Sequence, residues 1–188
     1  MNICVLYASK EGQTARIAEY IAQVIRDRGH HAQTIDVRDA TAADLRGCDG
    51  VVIGSSIHMG KHDKHAVAFA REHLPTLERL PSAFFSVSLA AHGDPDEAAR
   101  YVAEFEEATG WRPLRVARFS GALLYTQYGF LKRRILKKIA TEAPGGLGTD
   151  TSRDYVYTEW DGVTRFAEGF LRDVAAAAAA AQETSSPA

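Results

Sequence analysis

A polar turn near the amino terminus has the residue types of a phosphate-binding loop. It follows an apolar run over residues 3–7 and consists of Ser9, Lys10, Glu11, Gly12, Gln13 and Thr14. A helical pattern of apolar residues begins at Thr14, so free backbone N–H groups and the positive end of the helix dipole face the turn. Its hydroxyls add donors, and its glycine lets the backbone approach an anion. The turn predicts a phosphate site, with an ordinary capped strand-to-helix turn as the alternative.

The sequence of this turn indicates which phosphate ligand to expect. It lacks the G-x-G-x-x-G of dinucleotide folds and the G-x-x-x-x-G-K-[ST] of P-loop enzymes. Its [ST]-x-x-G-x-T spacing resembles the phosphate loop of flavodoxins, which holds the monophosphate of FMN without a cationic side chain. That resemblance implies FMN as the cofactor, with its phosphate bound by the turn over residues 9–14.

Two further polar segments accompany apolar runs that have the composition of strands. They are Ser55, Ser56, Ile57 and His58 after the third strand, and Ser86, Val87, Ser88 and Leu89 at the end of the fourth. With FMN at the switch point of a parallel sheet, we expect both segments to hold the flavin ring through hydroxyl and backbone N–H groups. Neither contains a tryptophan or tyrosine, which leaves a ring face open to a substrate. Two polar loops without a ligand are the alternative.

Histidines follow the third predicted strand closely. The spacing of His58, His62 and His65 could bring them together on a metal ion, but no cysteine is near and His58 lies in the expected flavin segment. We therefore expect no metal. His58 is the one candidate for a catalytic proton acceptor, because neutral imidazole accepts a proton near pH 7. His62, His65 and His73 are predicted to be surface histidines.

A strongly basic segment lies late in the chain. Its positive charges are Lys132, Arg133, Arg134, Lys137 and Lys138. Apolar residues Tyr128, Leu131, Ile135 and Ile139 fall along one face at helical spacing, so the segment predicts a basic amphipathic helix. Such a helix can bind anionic lipid or an anionic substrate. A helix packed on its own domain, with a solvated basic face, is the alternative.

Strand and helix patterns alternate along most of the chain. Nearly all-apolar strands separated by helices predict an α/β fold: a flavodoxin-like, doubly wound parallel sheet of about five strands in the order 2-1-3-4-5. Helices are predicted over residues 42–45, 64–80 and 94–109, and a short edge strand over 155–157. Residues 122–152 form a long basic insertion that this fold does not need. We predict an FMN-binding domain over residues 1–174 and a flexible alanine-rich tail over 175–188.

Composition bounds the class of protein. The chain has 188 residues and a formal net charge of −2, which suits one globular domain and gives no reason to expect nucleic acid binding. Cys4 and Cys48 lack metal-ligand spacing and do not suggest a disulfide framework, so we expect a reducing cytoplasm. The chain begins at a strand and has no membrane-length apolar run. This predicts a cytoplasmic protein that at most lies peripherally on the inner face of the cell membrane.

Motifs distributed along the chain together resemble one family. They are residues 7–14, 52–57, 80–89, 111–113, 120–123, 145–146, 149–151 and 156–160. In this order and spacing they are similar to the flavodoxin-type, menaquinone-dependent protoporphyrinogen oxidases. The resemblance extends from residue 2 to about residue 172 and includes the basic insertion, which ordinary flavodoxins lack.

This resemblance implies an oxidoreductase of haem biosynthesis that converts protoporphyrinogen IX to protoporphyrin IX, with FMN as cofactor and a quinone, menaquinone, as electron acceptor. It gives the basic residues of the insertion a role toward substrate or membrane, because arginine and lysine pair with propionates and with anionic headgroups. Three other functions stay open: an FMN-dependent quinone reductase with another donor, a flavodoxin-like electron carrier, and an interaction module without cofactor. Oligomeric state is left open by the sequence.

Overall fold

The computed structural model of the chain describes residues 1–184. Its strands are β1 (Asn2–Ala8), β2 (His31–Asp36), β3 (Gly50–His58), β4 (Lys61–His62), β5 (Ser82–Ser88), β6 (Arg115–Ser120), β7 (Ala122–Leu123) and β8 (Tyr155–Val156). Its α-helices are α1 (Gln13–Asp27), α2 (Lys64–Glu72), α3 (Leu74–Arg79), α4 (Ala90–Gly93), α5 (Pro95–Thr109), α6 (Phe130–Glu142) and α7 (Trp160–Thr184). Strands and helices alternate as the apolar patterns predict.

The main sheet has the strand order β2-β1-β3-β5-β6, and each neighbouring pair along this path is parallel. With the short strand β4 set aside, this confirms the predicted order 2-1-3-4-5. The order reverses between β1 and β3, so the loops at their carboxyl ends diverge and leave the crevice where such folds bind ligands.

Apolar side chains alternate between the two faces of the sheet and form a core on each side. On one face Val5 and Val52 pack with α1 and α7. On the other face Leu6 and Phe84 pack with α2, α3 and α5. Burial of both faces explains why the strands read as nearly continuous apolar runs.

Several elements differ from the sequence prediction. The predicted helix over residues 64–80 is two helices, α2 and α3, because Pro75 has no N–H to donate into the preceding turn and lies in the first turn of a new helix. The helix predicted over residues 42–45 is a run of turns. The edge strand expected at 155–157 is β8, which pairs antiparallel with β7 in a separate two-stranded sheet.

The insertion is packed structure rather than an open loop. Leu123, Tyr125, Tyr128, Ala140 and Leu147 are buried together beside α6. The predicted basic helix is confirmed as α6, which runs from Phe130 to Glu142. A core of its own lets the insertion hold a fixed shape against the carboxyl edge of the sheet.

The carboxyl-terminal helix continues into the alanine-rich tail. The residues assigned to a flexible tail are helical over 175–184, because the alanine run continues α7 and alanine is the strongest helix former. Residues 185–188 of the predicted tail lie outside the described residues. Neither α7 nor any other helix within residues 1–184 has the length and apolarity needed to cross a membrane.

The structure joins Cys4 and Cys48 in a disulfide, which the sequence analysis did not suggest. Cys4 lies in β1, and Cys48 lies just before β3, the neighbour of β1 in the sheet. This strand pairing brings their Cα atoms to 6.1 Å although 44 residues separate them along the chain. Cysteine usage therefore no longer supports the expectation of a reducing compartment.

Candidate functional site

The predicted phosphate loop forms the junction between β1 and α1. Gly12 is the N-cap of α1 and adopts a φ of 89°, a conformation that favours glycine. The Gly12 N–H donates to the Ser9 hydroxyl oxygen at 3.0 Å, and the Arg16 N–H donates to the Gly12 carbonyl at 3.0 Å. The loop thus curls around the amino end of α1, where unpaired N–H groups can bind an anion.

Gln13 connects this loop to a distant part of the chain. Its side-chain amide donates to the Thr158 hydroxyl at 2.8 Å, and Thr158 in turn donates to the Ser120 carbonyl at 2.6 Å. Gln13 and Thr14 are both buried, and the Gln13 Oε1 atom is buried without a hydrogen-bond partner. A buried acceptor of this kind needs a donor from a ligand or water.

The polar segment after β3 is a β-hairpin rather than the predicted loop. Strand β3 continues through His58, and β4 returns antiparallel to it, with Ile57 opposite His62. Met59 and Gly60 make the turn with φ angles of 51° and 75°, the combination that two-residue hairpin turns require. Ser56 and His58 are therefore placed on a strand that projects from the carboxyl edge of the sheet.

The residues at the end of β5 have different surroundings from one another. Val87 belongs to the core beneath α1, whereas Ser86 faces the opposite core, and its hydroxyl is buried without a partner. The Ser88 hydroxyl accepts from the Ala91 N–H at 3.2 Å and stabilises the turn into α4. Leu89, half-buried, packs against the core of the insertion.

Strand register brings these segments side by side. Ala8, the residue before Ser9, is the register partner of Ser55, and Ser55 is the partner of Ser86. Ser88 pairs with Ser120, the residue that accepts from Thr158. The predicted cofactor residues therefore lie along one continuous edge of the sheet. Ser55 itself is buried and accepts from the Asp63 N–H at 3.2 Å, so its hydroxyl supports the hairpin.

The carboxyl half of the insertion closes on the loop after β5. A Cβ atom built on Gly93 would meet the Pro144 carbonyl oxygen and would lie 2.5 Å from the Gly145 Cα, so the two backbones touch. The His92 ring lies 4.4 Å from the Tyr157 ring, between centroids. The Tyr157 hydroxyl accepts from the Gly148 N–H at 2.6 Å, and the Tyr125 hydroxyl donates to the Gly148 carbonyl at 3.0 Å. Tyrosines thus fix the course of the insertion.

The amino half of the insertion closes on the phosphate loop. The Tyr128 hydroxyl donates to one carboxylate oxygen of Glu11, and the Lys132 ammonium donates to the other at 2.6 Å. The Lys132 ammonium also lies 4.1 Å from the centre of the Tyr128 ring. Burial, and next the Glu11 carboxylate, raise the pKa of Tyr128 above its usual range, so it remains a neutral donor.

The five basic residues of α6 fall into two groups. Lys132 and Arg133 face the protein: Lys132 meets Glu11, and Arg133 donates to the carbonyls of Tyr128 at 2.7 Å and Thr126 at 3.1 Å. The remaining charges face solvent and are Arg134, Lys137 and Lys138. Lys138 has a loose, exposed ion pair with Glu142 at 3.9 Å.

The apolar stripe of α6 is largely exposed. Of the predicted stripe, Tyr128 is buried, but Leu131 is 71% exposed, and Ile135 and Ile139 are about half exposed at 53% and 48%. Phe130, at the start of the helix, is 80% exposed. These four exposed residues, with Arg134, Lys137 and Lys138, are called here the α6 surface. Isolated exposed apolar residues are common, but a contiguous group on one helix indicates a binding surface.

The histidines do not form a metal site. Within residues 1–184 no group of at least three histidine, cysteine, aspartate or glutamate side chains could hold a metal ion. His62 is not a surface histidine, as the sequence analysis expected, because β4 folds it beneath the sheet against Phe84 and Phe105, with ring centroids 5.4 and 5.0 Å away. His65 is exposed and pairs with Asp63 at 3.0 Å, and His73 is half-buried against Phe69.

Sequence reasoning missed Tyr128, Thr158 and Gly93 as residues that shape this site. Their roles depend on contacts between segments far apart in the chain, and no local motif marks them. Glu11 could have indicated such a contact, because a carboxylate in a phosphate loop requires a compensating partner.

Comparisons with known proteins place these features in context. A family model described as a flavodoxin domain matches residues 4–150. The chain is 34% identical over 170 residues to the protoporphyrinogen IX dehydrogenase (quinone) of Escherichia coli strain K12, covering 89% of this chain and 93% of that protein. Its identity to the protein of that name from Leishmania major is 33% over 169 residues, covering 88% and 72%. The structure of oxidised flavodoxin 1 from Bacillus cereus matches with a TM-score of 0.52 at 16% identity, over 92% of this chain and 98% of that one, which bears on the fold alone.

Proposed function

We propose that this chain oxidises protoporphyrinogen IX and passes the electrons to a quinone. The chain belongs to the flavodoxin domain family and, within it, to the protoporphyrinogen IX dehydrogenases (quinone). The structural observation that carries the proposal is the packed insertion on the cofactor edge. It contacts the phosphate loop through Glu11 and the β5 loop through Gly93. An electron carrier needs no such structure beside its cofactor.

The residues at this edge fit FMN. Ser9, Gly12, Gln13 and Thr14 would hold the phosphate at the amino end of α1, with neutral donors and a glycine that allows close approach. Among residues 1–184 the buried Gln13 oxygen has no hydrogen-bond partner, as expected beside a ligand. Ser56, Ile57 and His58 on the hairpin, and Ser88 and Leu89 after β5, would border the ring. When bound, FMN supplies the redox chemistry.

The side chains of the protein would orient the substrate and supply the charges that bind it. Lys10 is exposed within the phosphate turn and is available to the propionates of a porphyrinogen. His58, half-exposed on the hairpin, is the candidate for moving a proton at its ring nitrogen.

The α6 surface is proposed to contact an anionic membrane, where a lipid-soluble quinone is located. It combines exposed apolar side chains with lysine and arginine, the composition by which amphipathic helices bind an anionic bilayer surface. No membrane-spanning helix is required for this contact. We accordingly propose a cytoplasmic protein held peripherally on the inner face of the membrane.

The test of function begins with the visible spectrum of the purified protein, with FMN added if it is colourless. Protoporphyrinogen IX and a menaquinone analogue are then supplied anaerobically, and porphyrin fluorescence is followed. Flavin absorption with quinone-dependent growth of porphyrin fluorescence is expected. Flavin absorption without porphyrin formation would reject the substrate and favour another quinone-linked reductase or a carrier.

The test of membrane contact is sedimentation with vesicles of phosphatidylglycerol and, in parallel, of phosphatidylcholine. Phe130→Ser with Leu131→Ser should abolish binding to the anionic vesicles. Leu114→Ser is the matched control, since Leu114 is 64% exposed but lies just before β6, outside α6. Equal binding by both variants would refute the role of the α6 surface.

A further inference from the structure

The phosphate loop contains a negatively charged residue, although the loop is predicted to bind an anion. Glu11 lies between Lys10 and Gly12, inside the six-residue turn that ends at Thr14. Its side chain is 30% exposed, so solvent screens it only in part. A carboxylate within a phosphate loop opposes binding, because like charges repel at a partly buried site.

Two groups contact the Glu11 carboxylate within the described part of the chain, and both come from the insertion. Tyr128 donates a hydrogen bond but brings no charge, since burial and Glu11 raise its pKa and keep the phenol protonated. Lys132 alone brings a positive charge, at 2.6 Å from a carboxylate oxygen. The Tyr128 ring beneath the ammonium, at 4.1 Å from its centroid, holds Lys132 in this position.

The other cations of α6 have different surroundings. Arg133 donates to backbone carbonyls of the insertion, and Arg134, Lys137 and Lys138 are exposed on α6. Lys132 is therefore separated in role from the rest of the basic cluster, although the sequence groups all five together.

We propose that Lys132 is a positioning residue for the cofactor phosphate. It neutralises Glu11 and thereby lets the loop accept a doubly charged monophosphate. The inference rests on the proposed FMN site and adds a specificity to it: the chain distinguishes FMN from riboflavin partly through a lysine of the insertion. By thermodynamic linkage, a bound phosphate also strengthens the contact that fixes the first turn of α6 to the loop.

The test compares FMN and riboflavin binding to the full chain after removal of its flavin, by quenching of flavin fluorescence. Lys132→Met should weaken FMN binding on the order of tenfold, the effect expected from uncovering one partly screened charge, and should leave riboflavin binding unchanged. Lys132→Arg should retain FMN affinity. Lys138→Met is the matched control on the same helix, because Lys138 is exposed and pairs with Glu142 rather than with Glu11.

A second substitution checks the cause. Glu11→Gln combined with Lys132→Met should restore FMN affinity toward the original value, because the uncompensated charge is gone. The proposal is overturned if Lys132→Met matches Lys138→Met toward FMN, if FMN and riboflavin weaken equally, or if the double variant is no better than Lys132→Met. Failure of the unaltered chain to bind either flavin would instead refute the FMN site itself.

Discussion

Acidification should destabilise this protein through His62, a half-buried histidine whose ring packs among apolar side chains. Burial lowers the pKa of the His62 imidazole from 6.5 to about 4, and the Tyr101 backbone opposes this shift without reversing it. Both ring nitrogens are shielded from solvent, and the ring packs edge-on against Phe84 and Phe105. The folded state therefore holds His62 neutral at pH values where the unfolded chain is already protonated.

The sign and size of the effect follow from this difference. Above pH 6.5 His62 is neutral in both states and its protonation does not affect stability. Below that pH the unfolded chain binds a proton that the folded chain excludes, so the free energy of unfolding falls by about 1.4 kcal/mol per pH unit. The loss from this group is about 2 kcal/mol at pH 5 and approaches about 3 kcal/mol near pH 4.

Urea unfolding followed by circular dichroism at pH 7.5 and pH 5 measures this loss. His62→Leu should remove about 2 kcal/mol of the pH dependence, even if it changes stability at pH 7.5 by altering the packing. His31→Leu, at an exposed position in β2, is the control and should retain the pH dependence of the unaltered chain. Identical pH dependence in the His62→Leu variant and the unaltered chain would refute the argument.

Other expectations concern contacts that join distant segments. Gly93→Ala should lower the free energy of unfolding by about 1–3 kcal/mol, because the added Cβ meets the backbone at Pro144 and Gly145. Urea unfolding measures this loss of stability, and proteolysis within residues 122–152 measures the release of the insertion. Gln13→Ala should lower the free energy of unfolding by about 1–2 kcal/mol, because it removes the buried hydrogen bond to Thr158. Gln23→Ala, on the exposed face of α1, should lower it by less than about 0.5 kcal/mol. Reduction of the Cys4–Cys48 disulfide should lower the free energy of unfolding by about 2–4 kcal/mol, measured in urea with and without dithiothreitol, and an unchanged midpoint would argue against the pairing.

The main sheet could be predicted because its strands are short apolar runs between amphipathic helices. The positions of β1, β5 and α5 follow from such runs, and Asp94 caps α5 by accepting from the Glu97 N–H at 2.9 Å, as its sequence context suggests. The turn between β1 and α1 could be placed for the same reason, because its conformation is set locally by Gly12 and the start of α1; its phosphate-binding role stays a prediction.

The features that escaped prediction are set by contacts across the fold or by weak local signals. Met59 occupies a left-handed turn position that usually attracts glycine or asparagine, so the hairpin gave no clear turn signal. The burial of His62 follows from that hairpin, and the pairing of Cys4 with Cys48 follows from the adjacency of β1 and β3. Each depends on a position in three dimensions that residue type and spacing do not encode.

The way the insertion is attached bears on the choice between an enzyme and a carrier. Its amino half holds Glu11 of the phosphate loop, its carboxyl half meets Gly93 after β5, and the chain that leaves it returns to Gln13 through Thr158. These contacts lie at separate points along the ligand-binding edge, so the insertion and the edge constrain one another. A protein that exchanges electrons with changing partners benefits from an unobstructed edge, whereas an enzyme benefits from a fixed wall beside its cofactor. The exposed apolar and basic residues of α6 belong to this same insertion, so the proposed membrane contact would be made by a part of the chain that is fixed to the cofactor edge.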